Sequence, residues 1–407
     1  MALTDKLIWG LTVALFSSFY IFDASVYSRF VLLGITVLIA GLILVKNNFR
    51  IPVYWHIFHT LILVFVIYCF VSSVWSIDPS ASIVQGSIIA QILICMSVLY
   101  TYYLPQKSTT PLWRVVMWGG YIVTVYAFFY YGLDTIKTIL SAAGRLDNTF
   151  SNVNSLGMVA ALSVVITLYE ILFGKFRWYH LLVILNIVLI AATGSRKAVM
   201  LLCGGCGGVV LIRYSNKNWL VSLVQYLVAF GILLFCLRLL LELPLLAGVR
   251  ERFDTLFNLW RSTGEIDSST FLRNWMIHIG WEQFLQHPLL GIGISASGAV
   301  LERVLWRTYF HNNYIEMLAC GGIVGFWLYY QILFIAFFQL FRQRFCPDKN
   351  TLLGLILIVL ILVLDIGAVS YGSKSTYFYL MILFIQIKIN NRFLASKPTQ
   401  TAGESCN

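Results

Sequence analysis

The chain has 407 residues, 59% of them hydrophobic and 11% charged, with a mean hydropathy of +0.83 and a formal net charge of +11. A soluble core of this length cannot hide that much apolar surface, so an all-α polytopic membrane protein is expected. The apolar runs do not alternate with polar residues as barrel strands do, and no basic block interleaved with aromatics marks a nucleic-acid partner.

Lipid offers backbone groups no hydrogen-bond partner, so each apolar run is read as a helix. The runs fall at 7–22, 27–45, 53–74, 84–104, 112–132, 154–173, 178–194, 198–212 and 219–241. After a long connection come 312–340, 351–371 and 375–389, giving about twelve spans in all. Lys6 ahead of the first run resembles the start of a signal peptide, but further runs follow at once, which favours an uncleaved first span. Several runs are short for about 30 Å of hydrocarbon, and the pair on either side of Arg196 is expected to be broken or tilted. The cysteines form no disulfide framework. Cys203 and Cys206 lie in LLCGGCGGVV, a small-residue helix-packing pattern with no second ligand pair to suggest a metal.

Orientation follows from Lys and Arg in the short connections. With the N-terminus inside, fifteen lie on the cytoplasmic side and six outside: Arg29, Lys137, Arg145, Arg196, Lys197 and Lys374. Both termini are therefore expected in the cytoplasm. The chain divides into N-terminal spans (1–241), an outer loop (242–310), C-terminal spans (311–395) and a polar tail (396–407) expected to be disordered. Within the loop, Gly248 to Trp260 reads as an amphipathic helix. A second helix starts from Asp267, Ser268 and Ser269 as candidate caps and is ended by Pro288. Trp260, Trp275, Trp281 and Trp306 suit headgroup depth, so the loop is expected to lie on the outer surface and cap the bundle.

The residues with chemistry gather on that outer side. Arg196 and Lys197, in ATGSRKAV, offer cations where the positive-inside bias disfavours them; an arginine presents a planar fork to phosphate oxygens. Arg145, Asn152 and Asn154 lie in GRLDNTFSNVNSLG, where helix capping explains the asparagines as well as substrate contact does. Arg273 lies on the second loop helix, and His311 opens FHNNYIEMLACGGIVGF as the candidate general base. His278, four residues from Asn274 and from Glu282, reads as surface. Asp365, an acid in ILVLDIGAVS, is expected to pair with an outer arginine, to orient His311 or to form a structural pair. No Walker motif, metalloprotease motif or nucleophile elbow appears, so any bond made must draw on a donor already activated in the membrane.

WSIDP (75–79), GRLDNTFSNVNSLG, TGSRKA, SSTFLRNW followed by FLQHPLLGIG, and HNNYIEMLACGGIVGF occur in the order seen in the O-antigen ligase superfamily, which the chain resembles from about residue 70 to 340. The resemblance implies glycosyl transfer without metal or other cofactor on the outer face of a bacterial plasma membrane. The donor would be an undecaprenyl-diphosphate-linked oligosaccharide. The acceptor would be lipid A–core in a ligase, or another lipid-linked glycan in a polymerase. Arg196 and Arg273 would hold the diphosphate and His311 would deprotonate the acceptor hydroxyl, with Arg145 in a less defined role; Asn152, Asn154, Lys197 and Asp365 stand as substrate-binding candidates. Membrane lipids and a protein regulating chain length are further candidate partners. The competing class is a transporter, such as a lipid-linked oligosaccharide flippase, which would show pseudo-symmetric halves and broken helices near the midplane.

Overall fold

A computed structural model describes residues 3–214 apart from 24, 51–53 and 143, residues 268–396, and between these only positions 221, 224, 228, 231, 238 and 242. The expected span at 219–241 and the amphipathic helix at 248–260 lie largely or wholly outside the described residues, as does the tail from 397. The described residues hold fourteen α-helices. They are α1 (Leu3–Ile21), α2 (Ser28–Lys46), α3 (Ile57–Ser72), α4 (Pro79–Tyr103), α5 (Thr110–Tyr131), α6 (Leu133–Ser141) and α7 (Val153–Phe173). Then follow α8 (Val183–Thr193), α9 (Arg196–Tyr214), α10 (Ser268–Gln286), α11 (Ser297–Leu301), α12 (Asn313–Arg342), α13 (Asn350–Leu364) and α14 (Lys374–Ala395).

Six of these are long and apolar enough to cross a membrane: α2, α5, α7, α9, α12, and α4 together with its 3-10 extension to Gln106. The described residues are thus all-α, with several helices of the length and composition of membrane spans. Apolar side chains such as Phe30, Val37, Ile94 and Phe129 point outward on these helices, as lipid permits and water does not.

Two helices organise the interior. α7 packs against α5, α8 and α9. α14 is buried on every side from Tyr377 to Ile385, as a helix apolar all round must be, and meets α1, α4, α12 and α13. The small residues of α9 serve packing as expected. A side chain at Gly205 would strike Val165 of α7, and at Gly204 and Gly208 it would strike Leu360 and Ile356 of α13. α8 and α9 are separated by Gly194, left-handed at φ 53°, which stops α8 after eleven residues.

The long span expected at 312–340 is not one rod. The Asn313 Nδ2 donates to Tyr330 Oη at 2.8 Å, and the Tyr314 and Tyr330 rings stack at 4.8 Å. In a straight helix residues 16 or 17 apart would be about 25 Å from one another. The fold-back occurs at Gly322, whose φ 61° and ψ −166° belong to a region open essentially to glycine. The backbone groups it frees are taken up by the loop segment 288–293. Ile292 and Gly293 donate to the Ala319 and Cys320 carbonyls (3.0 and 2.9 Å), while Ile323 and Val324 donate to Pro288 and Leu289 (2.9 and 3.2 Å). Irregular backbone inside a membrane protein survives only when satisfied in this way. The segment after α10 therefore does more than connect two helices: HPLLGIG threads into the broken helix.

WSIDP holds that plug from the other side. Tyr68 Oη donates to the Gly321 carbonyl at 2.6 Å, and Trp75 Nε1 to the Leu290 carbonyl at 3.3 Å. Ile77 N donates to Ile292 O at 3.0 Å, and Ser82 Oγ to Ile294 O at 2.8 Å. Asp78 caps α4 through Ala81 N and pairs with Arg307. The second loop helix forms much as expected, as α10. Its Met276 is buried, Leu272 and Ile279 pack beside it, and the helix lies against α12.

Candidate functional site

Three helix starts converge at the outer-loop end of the bundle. The first is α7. Asn152 caps it, its Oδ1 accepting from Asn154 N at 2.9 Å, and the Asn152 amide in turn points at Asp23 Oδ2 (3.5 Å). Arg145 braces the preceding loop, donating from Nε to the Thr193 carbonyl at 3.2 Å and from Nη2 to Asn154 Oδ1 at 2.9 Å. The asparagines thus do the capping and bracing their sequence allows, and both also line a cavity.

The second start is α9. Ser195 Oγ accepts from Ala198 N at 3.3 Å, so Arg196 and Lys197 occupy the first turn, at the positive end of the helix dipole. Of the two, Lys197 lines the cavity; Arg196, half-buried one residue earlier, is not among its lining residues.

The third start is α12, where HNN divides into three tasks. His311 takes a left-handed backbone (φ 58°), uncommon for a residue with a side chain, and its ring lies 4.3 Å from that of Tyr309. Asn312 caps the helix through Ile315 N at 3.1 Å. Asn313 is fully buried: besides Tyr330 it donates to Asp365 Oδ2 (3.1 Å), and its Oδ1 accepts from Ser370 N and Tyr371 N. Asp365, capping α13 at 1% exposure, therefore pairs with Asn313 and Tyr330 and not with an arginine or with His311. Its short reach is used up by the folded-back α12 packed beside it. One turn further on, buried Glu316 accepts from Ser297 Oγ at 2.6 Å and from Phe310 N at 2.9 Å, clamping the backbone just before His311.

The charges gather as well. Lys197 lies within the electrostatic reach of Arg273 and Arg145, and His311 within that of Arg273 and Lys197. Burial, and then these two cations, hold the His311 imidazole down at about 4 from its usual 6.5, so it is neutral at physiological pH. Asp23 shifts the other way: burial raises its carboxyl, with the Asn152 hydrogen bond and Lys374 opposing.

Beneath this cluster lies a cavity of about 890 Å³. Its outer part is lined by Asn152, Asn154, Lys197, Tyr309 and Asp365, and its inner part by Met158, Leu162, Leu201, Leu357 and Leu360. An adjoining chamber beside Asp23 and Lys374 shares Asn152, Ser155 and Tyr309 with it. An amphipathic space of this kind suits a phosphate head on an apolar chain. Among the described residues no three of His, Cys, Asp and Glu converge as a metal centre needs.

Residues 181–330 match the family model described as O-antigen ligase. The chain carries an O-antigen ligase family domain. No curated protein matches the chain. The O-antigen ligase match takes in Arg196, Lys197, Arg273, His311, the threading segment and the Gly322 break; Arg145, Asn152, Asn154 and Asp365 lie outside it.

Of the expected residues, Arg145, Lys197, Arg273 and His311 come within one electrostatic neighbourhood, and Asn152, Asn154, Lys197 and Asp365 line one cavity. Tyr309, Glu316 and Asp23 were not singled out from the sequence. Glu316 had a signal, an acid in an apolar run, the same one that marks Asp365. Tyr309 had none.

Proposed function

We propose that this O-antigen ligase family protein transfers a glycan from a lipid diphosphate to an acceptor hydroxyl at the outer face of the plasma membrane, with both termini in the cytoplasm. The observation that carries the reading is one chain of charges, Arg145 and Arg273 acting on Lys197 and Arg273 and Lys197 acting on His311, beside the polar end of an amphipathic cavity that Lys197 and Tyr309 line. The apolar part accepts the lipid chain. Cations at its mouth neutralise the diphosphate as charge develops on it, a stabilisation greatest in the transition state.

In the reaction, an acceptor hydroxyl oxygen attacks the anomeric carbon. The bond from that carbon to the diphosphate oxygen breaks, and its electron pair leaves with the lipid diphosphate. His311, held neutral by burial and then by its cationic neighbours, takes the hydroxyl proton. Lys197 and Arg273 face the leaving group, and Arg196 is the further cation of the same turn. The donor is already activated, so neither nucleotide nor metal is called for. The donor class is an undecaprenyl-diphosphate-linked oligosaccharide; lipid A–core makes the enzyme a ligase, a second lipid-linked glycan makes it a polymerase.

A broken helix is also what a transporter would carry. Here, however, the freed groups at Gly322 are bonded to residues 288–293 and Tyr68. The test is reconstitution of the purified chain with an undecaprenyl-diphosphate-linked repeat unit, with and without lipid A–core and without nucleotide or metal. Glycan ladders from donor alone establish a polymerase; product only with lipid A–core establishes a ligase. Either activity is expected to fall about 100-fold or more in Arg273→Ala, Lys197→Ala and His311→Ala. Donor crossing the bilayer with no product would overturn the reading in favour of transport.

A further inference from the structure

Tyr309 and Val369 line three spaces: the cavity below the cations, the chamber beside Asp23 and Lys374, and one more. On their far side lies the third, a space of about 1050 Å³, lined by Ser80, Gln85, Ser295, Arg307, Thr308 and Tyr371. The first and third spaces differ in charge. In the first, the cations Arg273 and Arg145 act on Lys197, and Asp365 on the same wall is taken up by Asn313 and Tyr330. In the third, Arg307 is already neutralised, pairing through Nη2 with Asp78 and through Nη1 with Glu302 at 3.1 Å. Glu316, which also reaches this wall, is occupied by Ser297 and Phe310. What remains for a ligand is a set of hydroxyls, an amide and two tyrosine rings. The Gln85 amide nitrogen is shielded from solvent with no hydrogen-bond partner, packed so close to Gly372 that a Cβ there would lie 2.6 Å from it. A buried amide donor without a partner is costly unless an acceptor meets it in some working state.

We propose that this third cavity binds the hydroxyl-rich glycan of the acceptor, with Tyr309 as the wall between acceptor and lipid-diphosphate donor. The inference rests on the glycosyl-transfer reading and names the substrate class of its second side. Charge sorts the two substrates. The anionic diphosphate is drawn to the cationic cavity, and a sugar is recognised by hydroxyls and amides where net charge is balanced. His311, its ring 4.3 Å from that of Tyr309 and tilted 49° to it, then stands at the boundary, where the acceptor oxygen must lose its proton. Gln85 and Thr308 hold the sugar and touch neither the proton nor the leaving group.

The experiment uses the full chain in lipid nanodiscs and two kinds of probe: undecaprenyl diphosphate, and the free acceptor oligosaccharide, tried both as the repeat unit released by mild acid from the lipid-linked donor and as the core oligosaccharide released from lipid A–core. Calorimetry should show the free oligosaccharide binding while undecaprenyl diphosphate is already bound. Gln85→Leu and Thr308→Val should each weaken the oligosaccharide about tenfold and leave undecaprenyl diphosphate unchanged, whereas Lys197→Ala should do the reverse. Displacement of one probe by the other overturns the proposal. So does equal weakening of both probes in both variants, or no oligosaccharide binding to wild type. Independent binding of both, in a wild-type protein that transfers nothing, sinks glycosyl transfer while leaving the glycan site standing.

Discussion

The two ends of this bundle handle buried polarity in opposite ways. At one end Gln386 sits among Thr109, Asp348, Thr351 and Asn390, bonded to each at 2.5–3.4 Å. Asn390 passes the chain on to Gln343 at 2.9 Å. These residues answer one another, and the network joins α5, α13 and α14. At the other end Lys197, Arg273 and Arg145 share a neighbourhood with a neutral histidine, and the space between helix starts stays open. A satisfied network holds helices together, because each group finds its partner within the protein. Like charges around a cavity do not stabilise the fold; they are arranged for something that arrives.

That contrast can be broken at its hinge. Gly322→Ala is expected to have the largest effect. A Cβ there would lie 2.3 Å from the Leu289 carbonyl, at a combination of φ and ψ open essentially to glycine, so the threading segment is expelled. Yield of folded protein and all transfer should be lost together, with destabilisation of about 3 kcal/mol or more. Folded, active Gly322→Ala would show that the break is not required.

The pH profile sharpens the outer half of the contrast. A base held down at about 4 is neutral above that pH and protonated below it. The acid limb of kcat/KM should therefore lie near 4, with activity lost as pH falls through it. Arg273→Ala removes one of the cations that depress it, so the limb in its residual activity should move upward. A limb near 6.5 in wild type would mean that neither burial nor the cations act on His311 as described.

Gln386→Leu addresses the satisfied end. It strands Thr109, Asp348 and Asn390 and should cost about 1–3 kcal/mol in unfolding experiments, with kcat/KM of the surviving protein little changed. A selective fall in kcat/KM at full stability would erase the distinction between the two ends. The smallest effect belongs to His278, which is exposed and, among the described residues, pairs with Glu282 four residues on. His278→Ala should leave transfer within about twofold of wild type, as surface substitutions do.

Much of the fold was legible because apolar run length reports burial in lipid directly. The starts of α5, α7, α9 and α12 fall within two residues of expectation. The capping by Asn152, the surface place of His278 and the small-residue packing of α9 follow from local rules and were found as read. The Gly322 break was not legible, because an apolar window averages over a single glycine, and CGG reads as helix until another segment claims its backbone. The task of WSIDP was hidden for the same reason: its partners lie more than 200 residues away. Glu316 could have been found from its charge alone.

By itself, then, the sequence determined that the chain is helical and membrane-embedded, and which cations, asparagines and histidine were worth following, since hydropathy, capping and charge are properties of neighbouring residues. Only the tertiary structure decided that Lys197, not Arg196, faces the cavity, that Asp365 serves Asn313, and that HPLLGIG completes a broken helix. Those outcomes depend on which distant backbone fills a gap and which side of a helix a neighbour occupies, and spacing along the chain carries neither.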